Sequence, residues 1–411
     1  MIVWNEFLTD ARVLKEAQSL INAGHNVTVH AIHTPNKTKE REVLPGGVKV
    51  VRVTRNALWG FRKRFGLKPR KKAFHLSENN SNSQSTKPIS PTNVKPSRFK
   101  TMLKPMMRAL THIGLCRALV KSKPDVIHSH DVNTLIVAWI ASKIARVPLV
   151  YDAHEISTSR EGYQKIRKYV GWVEKKLMPK AIATITTTDM RAKFFARAYG
   201  IPRPTVLQNR PSFYELKNSN RIRDELSLEQ QWPIIVYQGG IQPGRGLERL
   251  VQAAQVINNV YFVLIGSGRL VQPMQIMAEE LGVSDKVKFI PVVPLAELPE
   301  YTASADIGIQ PILNTCLNHY STDSNKLFEY VLAGLPVIAT DFPEIRKIVN
   351  QYGVGELADE SHEGLVFAIN KLLQDTQLRE KYKLNALKAR KELSWESQEK
   401  ALVNLYQKIL N

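Results

Sequence analysis

Ser321 to Asp341 (STDSNKLFEYVLAGLPVIATD) places an amide, a base and an acid, Asn325, Lys326 and Glu329, directly after Ser321, Thr322 and Asp323. At 100° per residue, Leu327, Phe328, Val331 and Leu332 share one helical face; Asn325, Lys326, Glu329 and Ala333 share the other. Gly334 ends the helix and the β-branched run Val337 to Thr340 follows as a strand. The first face is therefore core, and the second sets polar groups at a helix start, where unpaired N–H groups favour an anion. The pattern suits a phosphate with a carboxylate one turn deeper. A surface helix with a solvated polar face is the competing interpretation.

A second constellation is the loop Gln238 to Gly246 (QGGIQPGRG), which opens the amphipathic helix starting at Leu247. Gly239, Gly240, Gly244 and Gly246 let the backbone approach a ligand, and Arg245 offers a bidentate fork to a phosphate. No GK[ST] follows and the spacing is not GxGxxG, so neither a P-loop nor a dinucleotide fingerprint is present. Gly266, Ser267 and Gly268 repeat the strand, glycine, helix arrangement. Tight strand-to-helix turns need glycine anyway, but three anion-friendly loops in one half make a nucleotide diphosphate the economical ligand.

In the first half, His154 follows a strand directly, between Asp152 and Glu155. A histidine at the ligand edge of a parallel sheet is a candidate for chemistry. His128 and His130 are weaker candidates. With Asp131 they suggest a metal, yet neither HExxH nor a cysteine-based zinc spacing occurs. No serine-centred nucleophile elbow appears.

The elements that must position these residues alternate strand and helix. Ile2 to Trp4, a helix on Val13, Leu14, Ala17 and Leu20, and Val27 to Ile32 form a βαβ opening; Val48 to Val53 is a third strand. Strands are then expected at 125–129, 148–151, 181–186 and 205–207. Arg210 to Pro233 is polar and proline-punctuated, which marks a linker. A second alternation follows, with strands at 233–237, 261–265, 287–290, 307–309 and 337–340. Trp395 to Leu410 closes the chain as a helix. The fold class is α/β, and 411 residues exceed one ordinary core.

The formal charge of +21 is concentrated: Arg55 to Lys100 carries twelve bases against the single acid Glu78, a net +11. Trp59, Phe61 and Phe65 interleave with bases there, and 77–97 is rich in Ser, Asn and Pro. This texture fits an anionic membrane surface. Single-stranded nucleic acid and a solvated loop are the alternatives. Cys116 and Cys316 form no disulfide framework, so a reducing compartment is the default. The N-terminus acquires charges too early for a signal-peptide core. Leu135 to Tyr151 is interrupted by Lys143, Arg146 and Pro148, so it is no membrane span.

These motifs together resemble glycosyltransferase family 4. The resemblance rests on DARVLKEAQSLINAGHNVTV (10–29), DVIHSHD (125–131), PLVYDAHEI (148–156), GGIQPGRGLERLVQA (239–253), VLIGSG (263–268) and NKLFEYVLAGLPVIATD (325–341). It implies the GT-B fold, two Rossmann-like domains with parallel sheets facing across a cleft. Residues 1–210 would form the acceptor domain with the basic insertion 55–100, and 211–394 the nucleotide-sugar domain. Residues 395–411 would pack back on the first domain. By resemblance Glu329 holds the nucleotide ribose, and Arg245, with Lys326, neutralises the diphosphate. Gly239, Gly240, Gly266, Gly268, Ser321, Thr322 and Asn325 line the donor. His154 faces the reacting sugar, with Asp10, Arg12, Asp131 and Glu155 on the acceptor side. Two positions depart from the family: Ser321 stands where the first acid of EX7E is usual, so the usual carboxylate contact to the donor sugar is absent or replaced by Thr322 or Asp323, and Gly240 replaces the arginine of a GR pair.

The implied activity is retaining transfer of a hexose from a nucleotide diphosphate sugar to a glycan or lipid-linked acceptor. No cofactor or metal is expected, in keeping with the absence of DxD. The implied place is the cytoplasm, peripheral at the inner membrane face; nucleic acid is not an expected partner. A nucleotide-sugar epimerase, a silent binding protein and a nucleic-acid binder using Arg55 to Lys72 are the alternatives.

Overall fold

The protein is described by a computed structural model over residues 1–55 and 98–411. The basic insertion, with Trp59, Phe61 and Phe65, lies almost wholly outside the described residues.

The first half contains β1 (Thr28–His33), β2 (Arg41–Val43), β3 (Lys49–Thr54), β4 (Ile127–His130), β5 (Leu149–Ala153), β6 (Ala183–Thr186) and β7 (Thr205–Val206). β1 pairs in parallel with β3, and β2 adds to β3 in antiparallel register. β4 to β7 pair in sequence order, all parallel. Ile2 joins the two groups: its N–H donates to His128 O (2.8 Å), and its carbonyl accepts from His130 N (3.1 Å). The expected opening strand is thus reduced to a single bridging residue at the centre of the sheet. β2 was not legible in advance, because REV carries no apolar alternation.

The second half holds β8 (Ile234–Gln238), β9 (Tyr261–Ile265), β10 (Val287–Ile290), β11 (Ile307–Gln310), β12 (Val337–Thr340) and β13 (Gly355–Ala358). They form one parallel sheet in the order β10-β9-β8-β11-β12-β13. Every residue of β8, β9, β11 and β12 is buried, because helices cover both faces; this is why these strands read as unbroken apolar runs. β13 at the edge is only half-buried and escaped the sequence reading for that reason. The order reverses between β8 and β11, and open α/β sheets bind ligands at such a point.

The helix Trp395–Leu410 returns to the first half. Trp395 Nε1 donates to Ser19 Oγ (2.9 Å), and Ser19 Oγ donates to Glu399 Oε2 (2.8 Å). Leu402 and Tyr406 pack with Val13, Ala17 and Val29. Among the described residues no helix is long and apolar enough to cross a membrane.

Candidate active site

The helix Asn325–Leu332 buries Leu327, Phe328, Val331 and Leu332, as its period requires, and also Tyr330. Ala333, expected on the polar face, lies in the core cluster, since the helix ends there. The Tyr330 hydroxyl accepts from Gln238 N (3.2 Å) and donates to Ile309 O (3.1 Å). That contact pins the helix across the ends of β8 and β11. Glu329 beside it stays partly exposed, and its Oε2 accepts from Gln238 Nε2 at 2.5 Å. Thr302 Oγ1 donates to Gln238 Oε1 (2.8 Å), so the amide orientation is fixed and the carboxylate aimed. Gln238 ends an apolar strand, and no spacing rule distinguished it beforehand.

Lys326 reaches over the Tyr237 ring, with Nζ 5.3 Å from the centroid. A Cβ on Gly239 (φ +116°) would stand 2.9 Å from Lys326 Cε, so glycine gives the lysine its room. Burial and the Arg245 charge push the Lys326 ammonium down to about 8, against the opposing pull of Glu329. Gly266 and Gly268 have a packing reason of their own. A Cβ on either would lie within 2.0 Å of the Gly239 or Ile241 carbonyl oxygen, so both serve the contact between neighbouring loops. Gly240 accepts from the Tyr237 hydroxyl through its carbonyl (2.8 Å).

In the first half, the ends of β4 and β5 bring His130, Asp131, Asp152 and His154 together. His154 Nε2 lies 3.2 Å from His130 Nδ1 and 3.4 Å from Asp152 Oδ2; its Nδ1 is 3.9 Å from Asp131 Oδ2. Burial alone would depress the imidazole, but Asp131 and Asp152 outweigh it and raise His154 to about 9. Asp131 adopts φ +61°, a left-handed strain that residues other than glycine accept mainly where structure demands it. Its carboxylate also faces Arg160 (3.7 Å), which pairs with Glu155 at 3.0 Å.

Arg12 lines the cleft, but its hydrogen-bond donors are engaged within the first half. It is 4% exposed; Nη2 and Nε donate to Asp152 Oδ2 (2.8 and 3.2 Å), and Nη1 donates to Leu207 O (2.7 Å). Its role is to neutralise Asp152, whose carboxyl is held well below the usual range by Arg12 and His154 despite burial. Asp10 caps the helix Ala11–Asn22 by accepting from Val13 N (3.2 Å), while lining the cleft.

A cavity of about 880 Å³ lies between the halves, lined by Asp10 and His154 from one and Thr322, Asn325 and Glu329 from the other. A second, about 830 Å³, is lined by Glu155, Arg160, Arg245, His319 and Thr322. Arg191 borders both. Its Nη1 donates to His154 O (2.7 Å) and Thr187 Oγ1 (2.5 Å), its Nη2 to Asn318 O (3.0 Å) and its Nε to Ser321 Oγ (3.2 Å). Ser321 is fully buried, and its carbonyl accepts from Thr188 Oγ1 (3.0 Å). The polar atoms of Ser321, which the resemblance sets on the donor side, are engaged in joining the halves. Thr322, Asp323 and Asn325 line the cavity wall. Asp323 is buried and accepts from Gln208 Nε2 (2.8 Å).

Residues 9–210 match the family profile described as "Glycosyl transferase 4-like domain", and residues 218–389 the one described as "Glycosyl transferases group 1". The chain is 26% identical over 307 residues to the D-inositol 3-phosphate glycosyltransferase of Nocardia farcinica, covering 69% of this chain and 66% of that protein. An uncharacterized glycosyltransferase of Methanocaldococcus jannaschii is 24% identical over 299 residues, 69% of this chain and 75% of that one. Among solved structures, sucrose-phosphate synthase from Thermosynechococcus elongatus superposes with TM-score 0.73 at 17% identity, covering 97% and 92% of the two chains. Anabaena HepE in complex with UDP-glucose does so with TM-score 0.71 at 17% identity, covering 99% and 98%. The chain therefore belongs to glycosyltransferase family 4, the group 1 glycosyl transferases, and is a glycosyltransferase built on the GT-B fold.

Proposed function

We propose that the protein transfers a sugar, with retention of anomeric configuration, from a nucleotide diphosphate sugar to a hydroxyl of a glycan or lipid-linked surface-polysaccharide precursor. The observation that carries this reading is the single cavity lined by both His154 and Glu329. It is large enough for a sugar held between the two halves. Glu329, aimed by Gln238, suits the ribose hydroxyls. An apolar cavity of about 330 Å³ bounded by Tyr214, Leu298, Pro299 and Glu329 offers room for a nucleobase. The structure of HepE with UDP-glucose makes uridine the first base to try.

As the bond from the sugar C1 to the diphosphate oxygen breaks, negative charge gathers on the diphosphate. Arg245, Lys326 and the start of the helix Asn325–Leu332 are the groups we assign to it. The acceptor oxygen bonds to C1 from the face the diphosphate leaves, and its proton passes to a diphosphate oxygen. No protein nucleophile is then required, unlike retaining glycosidases with paired carboxylates. His154, protonated at neutral pH by its carboxylate neighbours, would orient the reacting sugar by donating a hydrogen bond. We assign diphosphate neutralisation to these cationic side chains, with no metal; donor affinity should be equal in EDTA and in Mg²⁺.

The acceptor reading places the protein on the cytoplasmic side of an anionic membrane. Support comes from the basic insertion and from the helix Arg167–Leu177, which exposes Tyr169 (55%) and Trp172 (59%) with rings 6.4 Å apart. Lys165, Arg167, Lys168, Lys175 and Lys176 surround them. Aromatic and basic side chains of this kind suit a headgroup interface.

Transfer and hydrolysis measured over a panel of UDP-, GDP- and ADP-sugars test the main reading. Turnover of one donor, raised by a lipid-linked glycan, is expected. Failure to bind every donor at millimolar concentration would sink the reading.

A further inference from the structure

Behind His154, away from the proposed diphosphate groups, four side chains converge, of which only Asp152 also bears on transfer, through the charge of His154. His128 and His130 lie two residues apart on β4, so they share a sheet face, with ring centroids 4.3 Å apart. Asp152 is the register partner of His130 on β5, and Glu16 descends from the helix Ala11–Asn22. One nitrogen or oxygen from each of the four lies within 4.8 Å of the others. All four residues are at most 2% exposed.

Their hydrogen bonding is incomplete at one place. His128 Nε2, His130 Nε2, Asp152 Oδ1 and both Glu16 carboxylate oxygens are buried without a partner. A buried polar atom left unpaired costs about 1–3 kcal/mol, so five in one cluster call for an explanation. Arg12 supplies part of one, and a hydrogen bond between the Glu16 carboxyl, which burial pushes up to about 8, and Asp152 supplies another part; neither accounts for the two imidazole nitrogens. The Arg12 Nε proton is directed at Asp152 Oδ2, leaving Glu16 Oε1 in charge contact at 3.0 Å but unbonded to Arg12. Asp152 Oδ1 and Glu16 Oε2 are outside its reach as hydrogen-bond acceptors.

The other nitrogen of each histidine is already engaged. His128 Nδ1 lies 2.9 Å from the Tyr406 hydroxyl, and His130 Nδ1 lies 3.2 Å from His154 Nε2 and 3.7 Å from Asp152 Oδ2. Metal-binding imidazoles are usually oriented through the nitrogen that does not ligate. Two neutral imidazoles and two carboxylates form a mixed nitrogen and oxygen set that suits Zn²⁺ and similar transition ions, and is unlike the all-oxygen sets of Ca²⁺ and Mg²⁺. Tetrahedral zinc at ~2.1 Å from each ligand requires ligand atoms roughly 3.4 Å apart, so the four would draw inward from their present spread.

We propose that Glu16, His128, His130 and Asp152 form a binding site for one divalent transition-metal ion, Zn²⁺ foremost, inside the acceptor half. The ion ties the first helix, β4 and β5 together. Through Tyr406 it fastens the C-terminal helix, and through His130 it sets the position of His154. This site goes beyond the transfer reading, and donor binding is independent of it, because no group assigned to the donor is among its ligands; His154 is not independent of it, since His130 and Asp152 both touch that imidazole.

The test uses the full, tag-free chain, metal-depleted and then dialysed against Co²⁺ or Zn²⁺. One equivalent per chain is expected. The Co²⁺ form should show the intense visible bands of a four-coordinate ion, lost on adding one equivalent of Zn²⁺, and Zn²⁺ should raise the thermal midpoint. X-ray absorption of the zinc form should show two imidazoles with oxygen and no sulfur. His128→Gln and Glu16→Gln should each weaken binding at least about 100-fold, and Tyr406→Phe about 10- to 100-fold. The proposal is overturned by less than half an equivalent bound, by a six-coordinate Co²⁺ spectrum, by sulfur scattering, or by full binding in folded His128→Gln. Should that variant not fold, stoichiometry and absorption of the unmodified chain decide.

Discussion

Arg191 Nε sits 3.2 Å from Ser321 Oγ, and through this contact a buried guanidinium of the acceptor half fills the place facing the usual first acid of EX7E. The same guanidinium holds the carbonyls of His154 and Asn318, so the base of the catalytic loop and the opposite wall of the cleft share one anchor. A carboxylate at 321 would turn a guanidinium's hydrogen bond to a neutral hydroxyl into an ion pair. With serine there, the polar groups left on the cavity wall beside it are Thr322, Asp323 and Asn325, and we propose them as the readers of the donor sugar.

Removing the anchor should loosen both functions at once. Arg191→Met leaves the Asn318 carbonyl and the Ser321 hydroxyl unpaired in a buried place, and the His154 carbonyl with only the 3.3 Å bond from Thr187 Oγ1, at a cost of about 2–4 kcal/mol. A lower thermal midpoint and a larger radius of gyration in solution scattering are expected. Ser321→Ala should cost only about 1 kcal/mol, since one acceptor is lost. Equal midpoints for the two variants would contradict the assignment.

Glu329 and Gln238 form a ranked pair. If Glu329 accepts from the ribose, Glu329→Ala should weaken nucleotide binding by about 1.5–3 kcal/mol, the range for hydrogen bonds to a charged group. That is roughly 10- to 150-fold in calorimetric titration with UDP, or with the nucleotide identified by the donor panel. Gln238→Ala, which only frees the carboxylate to rotate, should cost less. Unchanged affinity in Glu329→Ala would refute the ribose contact.

The Lys326 ammonium gives the site a pH signature. Burial and Arg245 bring it down to about 8, and only its charged form attracts a diphosphate. Affinity for the nucleotide diphosphate should be level below pH 8 and fall by up to tenfold per pH unit above it. In Lys326→Arg the side chain stays charged throughout, so the break near pH 8 should vanish. A break that survives in this variant belongs to another group.

How much of this was legible in the sequence depends on whether a signal is local. The helix, its apolar face and the strand Val337–Thr340 follow from period and a glycine stop; the structure gives the same strand bounds and starts the helix at Asn325 but ends it at Leu332, ahead of Gly334. Glu329 and His154 stood out because each follows a recognisable element in a motif. Gln238, Arg191 and Glu16 did not, since what singles them out is a partner 91, 130 or 136 residues away: Glu329, Ser321 and Asp152. Burial pushes Glu16 up to about 8, with Asp152 adding to it against Arg12; in the sequence the same residue is an ordinary acid on an amphipathic helix. Ser321 shows the same limit. Motif alignment locates a residue along the chain but not which side of a cleft its hydroxyl faces.

Membrane docking should divide between two surfaces. Tyr169→Ser with Trp172→Ser removes the exposed aromatic pair, and deletion of 56–97 removes most of the basic insertion. With phosphatidylglycerol-rich vesicles, each change should lower the bound fraction, and added salt should act mainly on the contribution of the insertion, since screening weakens exposed charge. The aromatic pair should resist salt. Undiminished binding after both changes would remove the membrane from the proposed function.

The role assigned to His154 requires a separation between binding and turnover. Its imidazole borders the cavity shared with Glu329 yet contacts none of Lys326, Arg245 or Glu329, so the nucleotide has no reason to sense its loss. His154→Ala should therefore leave nucleotide affinity within about twofold while lowering kcat by about 10²- to 10⁴-fold, the span typical of a positioned catalytic side chain. His154→Gln, which keeps a hydrogen-bond donor without the charge, should recover part of that loss if orientation of the sugar is what the imidazole provides. Recovery in neither kcat nor KM would assign the loss to the imidazolium charge that Asp131 and Asp152 sustain. Asp131→Asn, which leaves the ring in place but removes one of those carboxylates, should then lower kcat as well. A parallel drop in nucleotide affinity in His154→Ala would instead mean that the loop after β5 supports the cleft as a whole, and that the residue acting on the sugar lies elsewhere on its wall.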